Sequence, residues 1–269
     1  MTDPADLYAA ILAAPNDLDL RLAYADAIEA TDPDHAELIR VQIDFTRREH
    51  IRVERMETGD LPEEISAVYG RGYRLARRIG DRLAAPIAGL VRRFHFACGF
   101  PETVTLSGAA FLENGRILYE RVPVRHAFLM DVDASLVATL ADSPLLDQLV
   151  SISLLDCRIG SDGVRALVAS EHLRGLRWLD LSNCGIGQIG AEALAEAAPA
   201  SLPNLQWLGF AQNTPFIPYG EGIDAISGKE PVDTYIPEFG VRLNERYGPF
   251  PWMRPKWLDV ATPPYLGTV

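Results

Sequence analysis

The chain has 269 residues, of which 48% are hydrophobic and 23% charged, and its formal net charge is −12. This is the composition of a globular protein able to bury a substantial core in one or two domains. So acidic a chain repels polyanions at long range, which argues against non-specific nucleic-acid binding. No run approaches the roughly 18 apolar residues of a membrane span. The three cysteines, Cys98, Cys157 and Cys184, are too few and odd in number for a disulfide framework. The N-terminus, with Asp3 and Asp6, lacks a basic-then-apolar signal segment. A cytoplasmic, reduced protein is expected.

In chain order, residues 2–58 read as helical. Thr2 or Asp3 serves as an N-cap with Pro4 at the first helical position, and Leu7, Ile11 and Leu12 share a face. Pro15-Asn16-Asp17 breaks this helix, and Asp17 caps the next, where Leu18, Leu22, Ala25 and Ile28 recur at helical spacing. After Asp32-Pro33 a third helix turns Leu38, Val41, Phe45 and Ile51 inward.

Within these helices, Ala14-Pro15-Asn16-Asp17, Arg21-Leu22-Ala23-Tyr24-Ala25-Asp26 and Ala36-Glu37-Leu38-Ile39-Arg40-Val41-Gln42 resemble the bacterial repeat-companion domain, a short module that typically precedes leucine-rich repeats. Ala27 stands where that family usually has Trp. The resemblance implies no catalytic activity. Arg21, Tyr24, Asp26, Glu37 and Arg40 are expected to form an internal network of ion pairs and hydrogen bonds that sets the angle between two helices.

Gly59–Pro62 is a turn. Residues 63–93 read as mostly helical and carry a basic cluster: Arg71, Arg74, Arg77, Arg78, Arg82, Arg92 and Arg93. The expected role is a solvated helix face whose arginine stems cover apolar surface and pair with nearby acids. An enzyme or nucleic-acid binder using this helix is the weakest functional alternative.

From Phe94 the period changes. Phe100–Leu106 reads as a strand with Val104 and Leu106 inward. A repeated phrase follows. Leu149, Ile152, Leu154, Cys157 and Ile159 form one copy; Leu176, Leu179, Leu181, Cys184 and Ile186 form the next, 27 residues on. Leu205, Leu208, Phe210 and Asn213 form a third, 29 residues further. Val124, Ala127, Leu129 and Val132 make a degenerate copy upstream. This is the leucine-rich repeat pattern, and its cysteine-bearing form resembles the ribonuclease-inhibitor-like class. The period fits one strand and one helix per turn, with Val164, Leu167 and Val168 on one helix and Ala191, Leu194 and Ala195 on another.

The expected fold class is α/β: a short leucine-rich repeat solenoid, that is, a curved sheet of roughly five parallel strands with outer helices, preceded by an all-helical companion domain. The expected division is 1–93 companion region, 94–214 solenoid and 215–269 C-terminal section. That last section holds nine of the 19 prolines and many aromatics, including Trp252 and Trp257, and is expected to be a cap or a partner-binding arm.

Side chains that alternate with the inward leucines should share the opposite sheet face. They place His126, Ser151, Trp178 and Trp207 in one column, with Phe128, Ser153 and Asp180 alongside. Indoles beside a charge have the composition of a binding hot spot, so these seven residues are the candidate partner site. The sheet also leaves room for an approach of His126 to Asp180, but a catalytic dyad would need a nucleophile and an oxyanion site too. No catalytic set, metal-ligand spacing or cofactor loop stands out. The expected function is a non-catalytic protein–protein interaction module with a protein or peptide partner, basic where it meets the acidic surface. It takes no cofactor, no membrane and no nucleic acid. The alternative is a structural assembly subunit, joining copies of itself or docking into a complex through the companion helices and aromatic tail.

Overall fold

The computed structural model describes residues 2–47, 63–210 and 213. The expectations for Ile51, Gly59–Pro62 and residues 215–269 lie outside the described residues. The chain is α/β, with eight α-helices among the described residues and a six-stranded, mostly parallel sheet whose strands are hydrogen-bonded in sequence order. The chain forms two compact units. One holds residues up to 104 together with 116–125; the other holds 105–115 and the described chain from 126 onward. No described helix is long and apolar enough to cross a membrane.

The first unit begins with three helices: α1 (Pro4–Ala13), α2 (Leu18–Ile28) and α3 (Pro33–Arg47). Their starts follow from their caps. The Asp3 carboxylate accepts from the Ala5 amide at 2.9 Å, and Asp17 accepts from Asp19 and Leu20 at 2.9 and 3.1 Å. Each cap satisfies amides that the first helical turn leaves without partners. Ile11, Ala25, Ile28, Ala36, Ile39 and Ile43 form the shared core with Cys98 and Phe100. The long helix α4 (Glu63–Ala84) lays Leu75 and Ile79 on Leu38. It ends sooner than the basic cluster suggests, in a short 3₁₀ turn over Ala85–Ile87.

Strands β1 (Arg93–Ala97) and β2 (Phe100–Ser107) follow. Only Cys98 and Gly99 separate them, with φ of 49° and 88°. Two consecutive positive φ values make the tight turn of an antiparallel hairpin. The first of these strands departs from the sequence expectation, which placed Arg93 at the end of a helix. Phe94, His95 and Phe96 are half-buried, and Phe94 meets Phe96 edge-on with ring centroids 5.8 Å apart. The difference is confined to Arg93, since the period changes at Phe94, where these rings begin to pack.

Helix α5 (Gly108–Arg121) leads to β3 (His126–Met130). A strand–loop–helix arrangement then recurs: α6 (Ala134–Ala141), β4 (Ser151–Ser153), α7 (Gly160–Ala169), β5 (Trp178–Asp180), α8 (Gln188–Ser201) and β6 (Trp207–Gly209). Strands β3 to β6 are parallel neighbours, which requires a crossover after each strand. The crossovers are the helices, and their apolar stripes are the expected ones: Val164, Leu167 and Val168, then Ala191, Leu194 and Ala195, all buried. Ile152, Leu179 and Leu208 pair in register and are at most 2% exposed.

Pairing runs past the short strands into the loops. The Leu154 amide donates to the Asp180 carbonyl, Asp156 to Ser182 and Gly160 to Cys184, at 2.8, 3.1 and 3.1 Å. Within each loop one non-glycine residue adopts the left-handed region: Asp131, Asp156 and Asn183, with φ of 56°, 63° and 53°. Asp and Asn are the non-glycine residues that tolerate this conformation best.

Candidate functional site

The expected side-chain column is present in the pairing register. His126 aligns with Ser151, Ser151 with Trp178, and Trp178 with Trp207. The neighbouring column is Phe128, Ser153, Asp180 and Gly209. Parallel strands about 4.8 Å apart stack these positions side by side. The seven expected site residues therefore belong to two adjacent columns on β3 to β6.

Most of these side chains are buried. Trp178 is only 5% exposed, and His126, Ser151, Ser153 and Asp180 are also buried; Phe128 is half-buried. The Trp178 ring lies 6.0 Å from the His126 ring and is covered by the Arg177 guanidinium, 4.8 Å from its centroid. Arg177 in turn donates to the Gln206 side-chain oxygen at 2.9 Å. Arg177 escaped the sequence reading because strand alternation assigns it to the opposite side; a long side chain reaches around to stack its guanidinium on an indole.

The register puts His126 and Asp180 in different columns two strands apart. Asp180 is engaged nearer home. One carboxylate oxygen accepts from the Ser153 hydroxyl at 3.3 Å and the other from the Ser182 amide at 3.0 Å. These bonds tie β5 to β4 and to its own following loop.

Behind the columns, the repeated Cys, Cys and Asn positions share one task. The Cys157 thiol donates to the Leu129 carbonyl at 3.3 Å, and the Cys184 thiol to Leu154 at 3.0 Å. The Asn213 amide donates to Leu181 at 2.8 Å and to Phe210 at 3.2 Å. Its oxygen accepts from the Cys184 and Ile186 amides at 2.9 and 3.1 Å. Each side chain thus satisfies a carbonyl in or just after the strand before its own. Burial pushes the Cys184 thiol up to about 12 and raises Cys157 as well. Both stay protonated at neutral pH, the state a donor needs. Among the described residues no three His, Cys, Asp or Glu side chains converge as a metal site requires.

In the first unit the five expected residues do not form one internal network: of them only Arg40 and Asp26 pair with each other, at the surface, while Arg21 is buried among other partners. This side chain is 0% exposed, donates to Glu102 and to the Pro15 carbonyl, the latter at 2.6 Å, and stacks 5.1 Å from the Phe100 centroid. The Cys98 and Ala97 carbonyls lie within 3.4 Å of the same guanidinium. Arg125 faces the other Glu102 oxygen at 3.6 Å. Burial pushes the Glu102 carboxyl up, opposed by the Arg21 and Arg125 charges. Burial, with the neighbouring Glu102 charge, also lifts the Cys98 thiol to about 11.

The remaining members of the expected network sit at the surface. Arg40 pairs with Asp26, at 2.7 Å, and with Glu29, joining α3 to α2. Glu37 pairs with Arg71, Asp34 with Arg78 and Asp32 with Arg82, the last through two bonds of 2.7 and 2.9 Å. Tyr24 has a ring rather than ionic role, edge-on to His35 at 5.8 Å. Sequence reading missed Glu102 and Arg125, which act from outside the helical motif, and the role of Gln42 within it. Gln42 accepts from the Gly99 amide at 2.7 Å and so clamps the hairpin turn. The only advance signal was an arginine, Arg21, flanked by Leu20 and Leu22 on an otherwise inward helix face.

No protein-family model matches the chain, and no curated protein matches it.

Proposed function

We propose that the second unit is a short leucine-rich repeat solenoid, that the helical unit is a repeat-companion domain, and that the chain works as a non-catalytic protein-interaction module. One observation carries the reading. The residue at the consensus Asn/Cys position of three successive copies (Cys157, Cys184 and Asn213) donates to a carbonyl in or just after the preceding strand, while the leucine positions align in register between parallel strands. A stack built this way leaves alternate strand side chains over for recognition.

The partner would be a protein or peptide, and the face that holds it would be the two columns His126, Ser151, Trp178 and Trp207, and Phe128, Ser153 and Asp180. Because Trp178 and Asp180 are buried in the free chain, engagement at these two requires that they first become uncovered. The energetic consequence is reduced apparent affinity, since only the uncovered fraction binds.

The test is capture of partners from the native organism by the full chain, followed by hydrogen exchange on the reconstituted complex. Slowed exchange in 126–130, 151–153, 178–180 and 207–209 is expected. Protection confined to other segments sinks the site assignment. Self-association in light scattering, with no second protein retained, favours the assembly-subunit alternative instead.

A further inference from the structure

We infer that the outer face of α4 is a second docking surface, and that it takes an acidic helix of a partner protein. Helix α4 carries two rows of arginines. The inner row, Arg71, Arg78 and Arg82, is taken up by Glu37, Asp34 and Asp32, residues on or just before α3. Residue numbers rise along one side of these pairs and fall along the other, so the two segments meet antiparallel. The structure thus already shows what this helix accepts: carboxylates spaced along a neighbouring helix.

The outer row repeats the chemistry toward solvent. Arg74 and Arg77 are exposed, and among the described residues no carboxylate pairs with either. The Tyr73 ring stands beside Arg77. Tyr73 is 53% exposed; Tyr69, 43% exposed, packs on Phe45 of α3 with ring centroids 5.6 Å apart. The Arg77 guanidinium lies 5.9 Å from the Tyr73 ring centroid, and Arg74 reaches back over Gly70, where an added Cβ would stand 3.4 Å from its terminal nitrogen. Tyr73 and Arg77 are four residues apart and so lie along one helical stripe.

Tyrosine and arginine together are the usual anchors of a protein interface, because the ring supplies apolar area and the guanidinium grips a carboxylate with two parallel donors. A small inorganic anion would leave the ring unused. A nucleic acid would also use the ring and guanidiniums, but it brings a continuous phosphate charge against a chain of net charge −12. An acidic helix brings a few carboxylates at the spacing the inner row already accommodates. This surface belongs to the helical unit and is independent of whether the sheet columns bind anything.

The experiment titrates the full chain into three fluorescein-labelled probes, read by anisotropy: an alanine-based helical peptide with Glu at third and fourth positions and two leucines, the same peptide with Gln for Glu, and an oligouridine. Saturable binding of the Glu peptide only is expected, weakening with added salt. The Arg74→Gln/Arg77→Gln variant should bind it roughly tenfold more weakly, the scale of two exposed charge pairs, and Tyr73→Ala should weaken it as well. Both arginines are exposed, so the variant should keep the parent's urea midpoint. No binding of the Glu peptide, equal binding by the arginine variant, or tighter binding of oligouridine each overturns the proposal; the last outcome makes the face a nucleic-acid platform.

Discussion

Arg21 and Glu102 meet inside the helical unit, 81 residues apart in sequence, with side chains 0% and 1% exposed. A helix and a β-hairpin strand are joined there by charges that water does not reach. An ion pair so placed is costly to form and more costly to break, because removing one partner leaves the other charged group buried. Glu102→Gln is expected to lower the unfolding free energy in urea by about 3–5 kcal/mol. The double change Arg21→Met/Glu102→Leu should cost clearly less than the two single changes summed. Arg82→Gln, which opens a bridge with the Arg82 side chain 56% exposed, should cost no more than about 1 kcal/mol. Comparable losses for Glu102→Gln and Arg82→Gln would show that burial does not govern the pair.

His35 predicts a pH dependence. Its Nε2 lies 3.0 Å from the Gly99 carbonyl and its ring packs against Phe100 at 5.3 Å. Burial lowers its pKa below the usual histidine value, opposed by the Gly99 hydrogen bond and the Asp32 charge. The unfolded chain therefore protonates first, at about pH 6.5. Below that pH the unfolded state binds more protons, so stability should fall as pH drops through about 6.5 and continue to fall until the folded-state pKa is reached. His95 shifts in the same direction, through burial and then Arg93, and contributes to the same slope. Urea midpoints between pH 5 and 8 should flatten in part for His35→Gln. An unchanged slope in that variant would assign the effect elsewhere.

Gly99 is a position that admits no side chain. Its φ is 88°, and an added Cβ would lie 2.9 Å from the Ile39 Cα, a backbone atom of α3. Strain and overlap combine, so Gly99→Ala should cost at least about 1–3 kcal/mol. Gly89 is the control. It also has a positive φ, 81°, but open space around its Cβ, so Gly89→Ala should cost less. Thermal melts of the two variants decide this.

Asn213 holds two amides and two carbonyls of neighbouring backbone. Asn213→Ala leaves those buried groups without partners at about 1–3 kcal/mol for each group stranded. Hydrogen exchange should speed up first at the Cys184 and Ile186 amides. Unaltered exchange there would mean that water or another group replaces the amide without cost.

Trp178→Ala should destabilise the second unit by about 3–5 kcal/mol, as expected of a buried indole. Any loss of partner capture in this variant is therefore interpretable only beside its melting temperature. Phe128→Ala, half-buried in the adjacent column, is the cleaner probe of the sheet face. Full partner retention by Phe128→Ala and by a stability-matched Trp178 variant would remove those residues from the site.

Much of the framework was legible because local rules and tertiary packing agree. Asp3 and Asp17 cap the helices they precede, and Pro15 and Pro33 sit at helix breaks. Val164, Leu167 and Leu194 face inward as their spacing requires. The columns of His126, Ser151, Trp178 and Trp207 follow from the period of the leucines, since strand side chains alternate and equal spacing aligns equal positions. β1 was legible only as the change of period at Phe94; that Arg93 already belongs to a strand was not, because the arginines before it continue a helical pattern.

The sequence by itself determined the alternation of strand and helix, the caps, and which residues share a column, because these depend on neighbours a few residues away or on a strict period. Tertiary structure alone decided what surrounds those residues. Trp178 aligns where its spacing puts it, yet it is buried beneath Arg177. Arg21 belongs to a short helical motif, yet its partner Glu102 comes from a strand far along the chain. Burial and long-range pairing depend on atoms brought together by the whole fold, and no local pattern encodes that distance.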